Sequence, residues 1–258
     1  MRIIVIGDIH TQTDKLWRIL QEAGLADERR CPSQAFLAED TRLVLLGDLV
    51  HAKSRERYAR LAQVPRYDEY NPEHVRKAET EQVAFLQEVK AFYDRVPAKR
   101  MTILMGNHDF NAVNHEQGAL RTDDVVHLEW KEGHGKPLPK ALAEWMRAWP
   151  YTLEIMGIHF AHVGPLPEHN TYDNSFYLEN RRRWIYDDRD FLEGTPYRLG
   201  VYGHTPVRGG VNIASQGRAI LLDTNGHGDE YCYLDIDADE KRYRLKMRGL
   251  FFDEIIER

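Results

Sequence analysis

The sequence predicts an α/β fold in which two β-sheets pack face to face and helices lie outside them. Three observations predict it: short apolar runs alternate with amphipathic helices in the first half, strand patterns dominate the second half, and no shift in composition marks a linker. With 42% hydrophobic and 29% charged residues, the 258-residue chain has enough apolar material for a buried core. We therefore expect a single domain over residues 1–258.

Three short apolar runs in the first half predict buried parallel strands, because each is rich in branched residues and stops at a glycine. They are Ile3–Ile6, Leu43–Leu46 and Met101–Met105. Between the first two runs, Thr13 and Asp14 begin a predicted amphipathic helix that ends near Gly24. A second predicted helix begins at Asn71–Pro72 and carries an apolar stripe as far as Pro97.

The remaining segments complete the predicted fold. Residues 52–70 are crowded with charged side chains and tyrosines, and Pro65 breaks any long helix there, which predicts a polar excursion above the sheet and a candidate lid. Ala141–Trp149 predicts a helix, and Tyr151–His162 predicts a hairpin that turns near Met156–Gly157. Five later segments read as strands of a mostly antiparallel sheet: Leu199–Tyr202, Val211–Ile213, Ala219–Leu222, Tyr231–Ile236 and Tyr243–Leu250.

The composition excludes several functional classes. A net charge of -6 argues against a protein that binds nucleic acid through an extensive positive surface. Cys31 and Cys232 lie far apart, so we expect neither a disulfide framework nor a cysteine zinc site. No apolar run approaches the roughly 18 residues of a membrane helix, and the apolar stretch after Met1 is too short for a signal peptide. We expect a cytoplasmic protein without membrane association, whose oligomeric state the sequence leaves open.

Side chains that can bind a metal ion or move a proton follow five of the predicted strands. In chain order they are Asp8, His10, Asp48, Asn107, His108, His162 and His204. Because ligands bind at the carboxyl ends of the strands in open α/β sheets, we expect these side chains to converge. A mixture of carboxylate, amide and imidazole ligands suits manganese, iron or zinc better than calcium, and the number of ligands favours two ions.

The segments that carry these residues resemble, in the same order, the motifs of the calcineurin-like metallophosphoesterases. They are Gly7-Asp8-Ile9-His10, Gly47-Asp48, Gly106-Asn107-His108-Asp109, His162-Val163-Gly164 and Gly203-His204. Five motifs in order are more specific than any one short pattern. The resemblance extends from Asp8 to Asn225 and implies an αββα sandwich with a dinuclear metal site at the carboxyl ends of the strands.

The resemblance also implies a role for each ligand. Asp8 and His10 would hold the first ion, Asp48 would bridge both, and Asn107, His162 and His204 would hold the second. A hydroxide that bridges the ions would be the nucleophile, since metal coordination lowers the pKa of water to roughly 7. His108 would protonate or hydrogen-bond the leaving oxygen, so His108 and Asp48 are the expected catalytic residues. Manganese is the cofactor expected first, with iron or zinc as alternatives.

The second motif departs from that of the protein serine/threonine phosphatases. Those relatives continue it with an aspartate that orients the proton-donating histidine and an arginine that clamps phosphate. Here His51 and Ala52 occupy these positions, and Lys53 replaces a guanidinium only in part. The sequence therefore argues against a typical protein phosphatase. It leaves His51 open as an extra ligand, a donor behind the ligands, a substrate contact or a loop residue.

The last motif also departs from one branch of the superfamily. Pro206 stands where nuclease-like members have a second histidine, and the segment looks instead like bacterial diadenosine tetraphosphatase-type members of the phosphoprotein phosphatase-like branch. Such relatives place an arginine on the substrate phosphate between the last two histidines. Arg181, Arg182 and Arg183 are the candidates here, within an expected substrate-side insertion at residues 165–196. A solvated charged helix face is the alternative interpretation of this run.

We therefore expect a metal-dependent phosphoric ester hydrolase that acts on a phosphomonoester or a nucleoside polyphosphate. A phosphodiesterase acting on cyclic or linear nucleotides is the first alternative. A metal-binding interaction protein, catalytically impaired by the substitution at His51, is an alternative from another class. The sequence does not identify the substrate.

Overall fold

Two β-sheets dominate the computed structural model, which describes residues 1–114, 120–122, 124–164, 192–206, 212–214, 217–224, 231–248 and 253–257. In chain order the elements are β1 (Arg2–Ile6), α1 (Thr13–Glu22), α2 (Gln34–Ala38), β2 (Thr41–Leu45), α3 (Arg55–Leu61), α4 (Pro72–Tyr93), β3 (Met101–Ile103), α5 (Asn107–Val113), β4 (Arg121–Thr122), β5 (Val125–Val126), α6 (Lys140–Arg147), β6 (Thr152–Ile155), β7 (Ile158–Ala161), β8 (Leu199–Tyr202), β9 (Asn212–Ala214), β10 (Ala219–Leu221), β11 (Tyr231–Asp237), β12 (Arg242–Arg248) and β13 (Asp253–Glu257).

The first sheet has the strand order β13-β12-β11-β1-β2-β3. β1, β2 and β3 are parallel, as the sequence predicts, and Ile6 lies opposite Leu45. Successive side chains of a strand point to opposite faces, and both faces of β1 are buried. Ile3 and Val5 pack toward the second sheet, whereas Ile4 and Ile6 pack toward the helices.

The second sheet has the strand order β6-β7-β8-β10-β9. β6 and β7 form the predicted hairpin, which turns at Met156 and Gly157 with φ angles of 51° and 73°. The prediction of a mostly antiparallel second half is wrong for the middle of this sheet, where β7, β8 and β10 are parallel. Alternation of apolar residues does not encode strand direction, and the connections between these strands are long enough for parallel crossovers.

Apolar side chains fill the space between the two sheets. From the first sheet come Ile3, Val5, Val44 and Leu46, and from the second come Ile158, Phe160, Val201 and Ile220. A second apolar layer packs helices α1, α4 and α6 against the outer face of the first sheet. The expected architecture of two sheets packed face to face with helices outside is therefore confirmed.

Helices α1 and α4 confirm the two helices that the sequence predicts in the first half. The chain leaves α1 at Gly24, whose φ of 77° lies in the left-handed region. Asn71 caps α4 by accepting a hydrogen bond from the N–H of Glu73, and Pro72 is the first residue of this helix. No helix in the described ranges has the length and apolar character needed to cross a lipid bilayer.

The segment 52–70 is less polar in its packing than in its composition. Tyr58 and Tyr67 are buried and stacked with their ring centroids 4.6 Å apart, and they form an apolar cluster with Ala78 of α4. The guanidinium of Arg55 pairs with the buried carboxylate of Glu69. This cluster fixes α3 beside α4, where it borders the site described next.

Candidate metal centre

The loops that follow β1, β2 and β3 meet at one edge of the first sheet and hydrogen-bond to each other. The carbonyl oxygen of Asp48 accepts from the N–H groups of Ile9 at 3.2 Å and His10 at 2.8 Å. From the third loop, the carboxylate of Asp109 accepts from the N–H of Leu49 at 2.9 Å. These bonds bring side chains that are far apart in sequence into one buried cluster.

Four residues of this cluster have left-handed backbones. The φ angles are 48° at His10, 52° at Asp48, 63° at His51 and 64° at His204. A residue with a Cβ atom rarely adopts this conformation, because it costs about 1–3 kcal/mol. Such strain persists where the surrounding structure imposes it, and it concentrates at functional sites.

The carboxylate of Asp48 lies at the centre of the cluster. Its Oδ1 accepts a hydrogen bond from the N–H of His108 at 2.9 Å. Its Oδ2 lies 3.4 Å from Nε2 of His162 and 3.5 Å from Nε2 of His10. Asp48 thus belongs to two groups of ligand atoms, one with His10 and His108 and the other with His162 and His204. A carboxylate shared in this way can bridge two metal ions.

Backbone carbonyl groups fix the rings of His10 and His162. Nδ1 of His10 lies 2.9 Å from the carbonyl oxygen of His51, and Nδ1 of His162 lies 2.8 Å from that of Leu46. Because a carbonyl oxygen can only accept, each Nδ1 carries the hydrogen. In the neutral ring, each Nε2 then presents a lone pair toward Asp48, which is the usual arrangement of a metal-binding histidine.

Asn107 joins the two late histidines. Its Oδ1 lies 3.0 Å from Nε2 of His162 and 2.8 Å from Nδ1 of His204. When His162 is neutral, its Nε2 and the amide oxygen are two acceptors that face each other. A proton or a metal ion between them removes the repulsion. The predicted trio of Asn107, His162 and His204 is therefore brought together.

Asp8 links the ends of the two sheets. Both of its carboxylate oxygens accept from the N–H of His204, at 3.1 and 3.2 Å, and its Oδ2 lies 3.6 Å from Nε2 of His10. Gly203 permits this close approach, because a Cβ atom at that position would overlap Oδ1 of Asp8. The loop after β8 thereby fixes the first predicted ligand of β1.

Gly203→Ala is expected to weaken metal binding about 10- to 100-fold while the protein stays folded. The new methyl group meets the end of the Asp8 side chain, which can move, whereas in Gly7→Ala it would overlap the backbone carbonyl of Leu222. Calorimetric titration with manganese and thermal unfolding of both variants test this difference. A Gly203→Ala protein that unfolds like Gly7→Ala would contradict it.

The donor atoms fit two divalent ions. Within the described ranges, Nε2 of His10, Oδ2 of Asp48 and Nε2 of His204 are buried and have no hydrogen-bond partner. Buried polar atoms without a partner are costly, so unpartnered atoms in the two groups that share Asp48 indicate bound ligands there. Imidazole nitrogen together with carboxylate and amide oxygen is a set that transition-metal ions accept.

The buried carboxylates dominate the electrostatics of the cluster. Burial lowers the pKa of His162, but the charges of Asp48 and Asp8 more than offset this and raise the pKa to about 9. Burial would raise the pKa of Asp48, yet the positive charge on His162 holds that pKa well below its ordinary value. Burial lowers the pKa of His204 to about 3. Two ionised carboxylates therefore create a negative field that cations complement.

His108, His51 and Lys53 lie beside this ligand cluster. Nε2 of His108 is 3.9 Å from Oδ2 of Asp48, and Nδ1 of His108 is 3.1 Å from Nδ1 of His51. The structure thus places His51 in contact with His108. Lys53 is only 6% exposed, and its charge adds to the effect of burial in lowering the pKa of His10.

His51 and His108 also form a group with His127 whose nitrogen atoms lie close together. This third group has other partners: Nδ1 of His127 contacts the hydroxyl of Tyr58 at 2.8 Å, and Nε2 contacts that of Thr122 at 2.9 Å. The rings of His51 and His127 are stacked and nearly parallel, at 6°. Their lone pairs cannot converge on one ion, so this group does not read as a metal site.

Three predicted substrate-binding residues, Arg181, Arg182 and Arg183, lie outside the described residues, as does Asn225. The other predicted site residues all lie in or beside the cluster around Asp48.

Sequence reasoning assigned no role to Asp109, which supports the loops. Its carboxylate accepts from the N–H of Gly106 at 3.2 Å in addition to that of Leu49. Burial, followed by the charge of Asp48, raises the pKa of Asp109 to about 7. The sequence did offer a signal for this role. Asp109 lies in the first turn of α5, where a carboxylate can accept a hydrogen bond from the N–H of the residue that precedes the helix.

Sequence reasoning also missed Lys15 and His127. Nζ of Lys15 donates to the carbonyl oxygen of Asp8 at 3.1 Å and to the hydroxyl of Thr224. Lys15 shares the buried face of α1 with Ile19. A charged residue on such a face indicates a buried polar contact, so the sequence did offer a signal for Lys15. His127 lies in a stretch without periodicity, and no pattern distinguished it.

Comparison with known proteins gives one family and several related folds. The family model for the calcineurin-like phosphoesterases matches residues 1–234. A cold-active protein tyrosine phosphatase from a psychrophilic Shewanella species is 14% identical, with a TM-score of 0.59 over 98% of this chain and 80% of that chain. A protein serine/threonine phosphatase from Saccharomyces cerevisiae, similar to human phosphatase PP5, is 12% identical, with a TM-score of 0.52 over 98% and 81%. At these identities the likeness concerns the fold. The search of curated proteins finds no match.

Proposed function

The chain belongs to the calcineurin-like phosphoesterase family, and on that premise we propose that it is a metal-dependent hydrolase of phosphomonoesters or nucleoside polyphosphates. The observation that carries the proposal is the carboxylate of Asp48, shared by two groups of ligand atoms. The residues that would hold two divalent ions, manganese first, are Asp8, His10, Asp48, Asn107, His162 and His204. When bound, such ions supply Lewis-acid activation of water and of the phosphoryl group.

The protein's own side chains would orient the substrate and the leaving oxygen. His108 directs Nε2 toward the centre of the cluster, where it can donate a hydrogen bond to the oxygen that leaves. The N–H of His108 donates to Oδ1 of Asp48, which fixes the start of α5 against the ligand. Lys53 offers a buried positive charge that can contact a phosphoryl oxygen. Because Lys53 is almost fully buried, its charge is weakly screened by water.

Lys53→Ala is expected to lower kcat/KM for an aryl phosphate about 10-fold, chiefly through a higher KM. The lysine would bind phosphate as a point charge in both the ground state and the transition state, so its loss reduces affinity more than turnover. Steady-state kinetics of Lys53→Ala and Lys53→Arg measure this. A fall in kcat that exceeds the rise in KM would contradict equal binding of phosphate by Lys53 in the ground state and the transition state.

The proposal is tested by metal analysis together with hydrolysis assays on the full chain. The substrates are p-nitrophenyl phosphate, bis(p-nitrophenyl) phosphate, diadenosine tetraphosphate and a phosphotyrosine peptide, each with and without added manganese. The peptide is included because phosphatases of proteins share the fold. We expect two ions per chain and manganese-dependent turnover of the monoester or the tetraphosphate.

The other outcomes identify the alternatives. Preference for the diester would favour a phosphodiesterase, and preference for the peptide would favour a protein phosphatase. Two bound ions without turnover of any substrate would favour a metal-binding interaction protein. Fewer than two ions at saturating manganese would refute the ligand assignment.

A further inference from the structure

The imidazole of His51 contacts the imidazole of His108. The Nδ1 atoms of His108 and His51 lie 3.1 Å apart, and the planes of these buried rings meet at 72°. A neutral imidazole carries one hydrogen, so in this contact one nitrogen donates and the other accepts. The direction of the bond decides whether Nε2 of His108, which faces the metal cluster, carries a hydrogen.

The surroundings of His51 identify it as the donor. Its Nε2 is buried and has no hydrogen-bond partner in the part of the chain that the structure describes. A hydrogen on that atom would be a buried N–H without an acceptor, which proteins avoid more strictly than an unused lone pair. The hydrogen of His51 therefore lies on Nδ1 and is donated to His108. His108 accordingly keeps its own hydrogen on Nε2, 3.9 Å from Oδ2 of Asp48.

The ring of His51 is clamped in this orientation. His127 stacks on it at 4.4 Å and 6°, and Trp130 stacks on it at 5.4 Å and 26°. His127 is itself fixed, because its two nitrogen atoms contact the hydroxyl groups of Tyr58 and Thr122. The residues that hold the His51 ring therefore come from α3 and from the segment that contains β4 and β5.

The backbone of His51 is held from a third direction. Its N–H donates to Oε1 of Gln82 at 2.8 Å, and Nε2 of Gln82 donates to the buried carboxylate of Glu129 at 2.9 Å. These bonds help to hold His51 in its left-handed conformation, with φ of 63°. Side chains from three separate segments therefore determine the position of the His51 ring.

We propose that His51 is a positioning residue that fixes neutral His108 as a hydrogen-bond donor to the leaving oxygen, in place of the aspartate of related phosphatases. This inference rests on the proposed function. His108 loses no proton in this role: its Nε2–H stabilises the negative charge that develops on the leaving oxygen. The benefit grows with the basicity of that oxygen, so His51 matters most for esters of weakly acidic alcohols.

The test is the dependence of kcat on the leaving group for the metal-loaded enzyme. With phenyl phosphate, His51→Ala is expected to lower kcat about 100-fold. With 2,4-dinitrophenyl phosphate, whose leaving oxygen needs little stabilisation, we expect a loss of less than about 5-fold. His108→Ala should show the same dependence. The double variant should be no slower than His108→Ala, because the two residues act as one unit.

Two further variants separate positioning from a structural role. His51→Asn should recover part of the loss, because its amide N–H can donate to Nδ1 of His108. His159→Asn changes a buried histidine stacked on Tyr197. Any loss of kcat in this variant should be the same for every leaving group. An equal loss with every leaving group in His51→Ala, or a double variant much slower than His108→Ala, would overturn the proposal. A wild-type enzyme with two ions and no turnover of any ester would instead overturn the proposed function.

Discussion

Asp48→Asn is expected to reduce the turnover of an aryl phosphate by about 10³-fold or more, a loss of about 4 kcal/mol of transition-state stabilisation. The amide keeps the size of the carboxylate and can still accept the hydrogen bond from the N–H of His108. Its other end is an NH₂ group, which has no charge and no lone pair for a cation. That end would replace Oδ2, the atom that lies 3.4 Å from His162 and 3.5 Å from His10.

Two comparisons make this result specific. Asp94→Asn makes the same chemical change on the surface, where Asp94 pairs with Lys90 at 2.7 Å across one helical turn, and it should leave turnover unchanged. Lys53→Ala should cost far less than Asp48→Asn. Near-normal turnover of Asp48→Asn with two ions bound would show that Asp48 does not have the shared position we assign to it.

The cluster around Asp48 could be predicted because a general property of α/β sheets converts sequence order into spatial proximity. Parallel strands place their carboxyl ends at one edge, so Asp8, Asp48 and Asn107 had to approach each other once their strands were identified. The same pattern could not show how the approach is made. The left-handed backbone of Asp48 is a property of a loop, which carries no periodic signal, and the hydrogen bond from the N–H of Leu49 to Asp109 joins segments that are far apart in sequence.

Other features could not be predicted because they depend on contacts between distant segments. The alternation of Leu199–Tyr202 predicted a strand but not its parallel pairing with β7 and β10. Residues 52–70 read as polar, yet Tyr58 and Tyr67 are buried against α4. His127 becomes significant only because the fold stacks it on His51.

Removal of divalent ions with a chelator is expected to abolish turnover and to lower Tm by at least about 10 °C relative to the protein in saturating manganese. Asp8 and Asp48 are each only 1% exposed, and their ionised carboxylates share one buried site. Bound cations offset that repulsion in the folded state. An ion present at about 1,000 times its Kd stabilises a protein by about 4 kcal/mol. Each kcal/mol corresponds to about 2–4 °C for a chain of this size.

His204→Ala provides the matched variant for this measurement. It removes a donor from the group of Asp48, His162 and His204 and leaves Asp8 and His10, which would hold the other ion, unchanged. We therefore expect one ion fewer in metal analysis and a smaller increase of Tm with manganese. Unchanged turnover and Tm after chelation of the wild-type protein would refute the ligand set. Because Tm requires no substrate, a large shift without turnover would still identify a metal site and would count against the proposed function rather than against the ligand set.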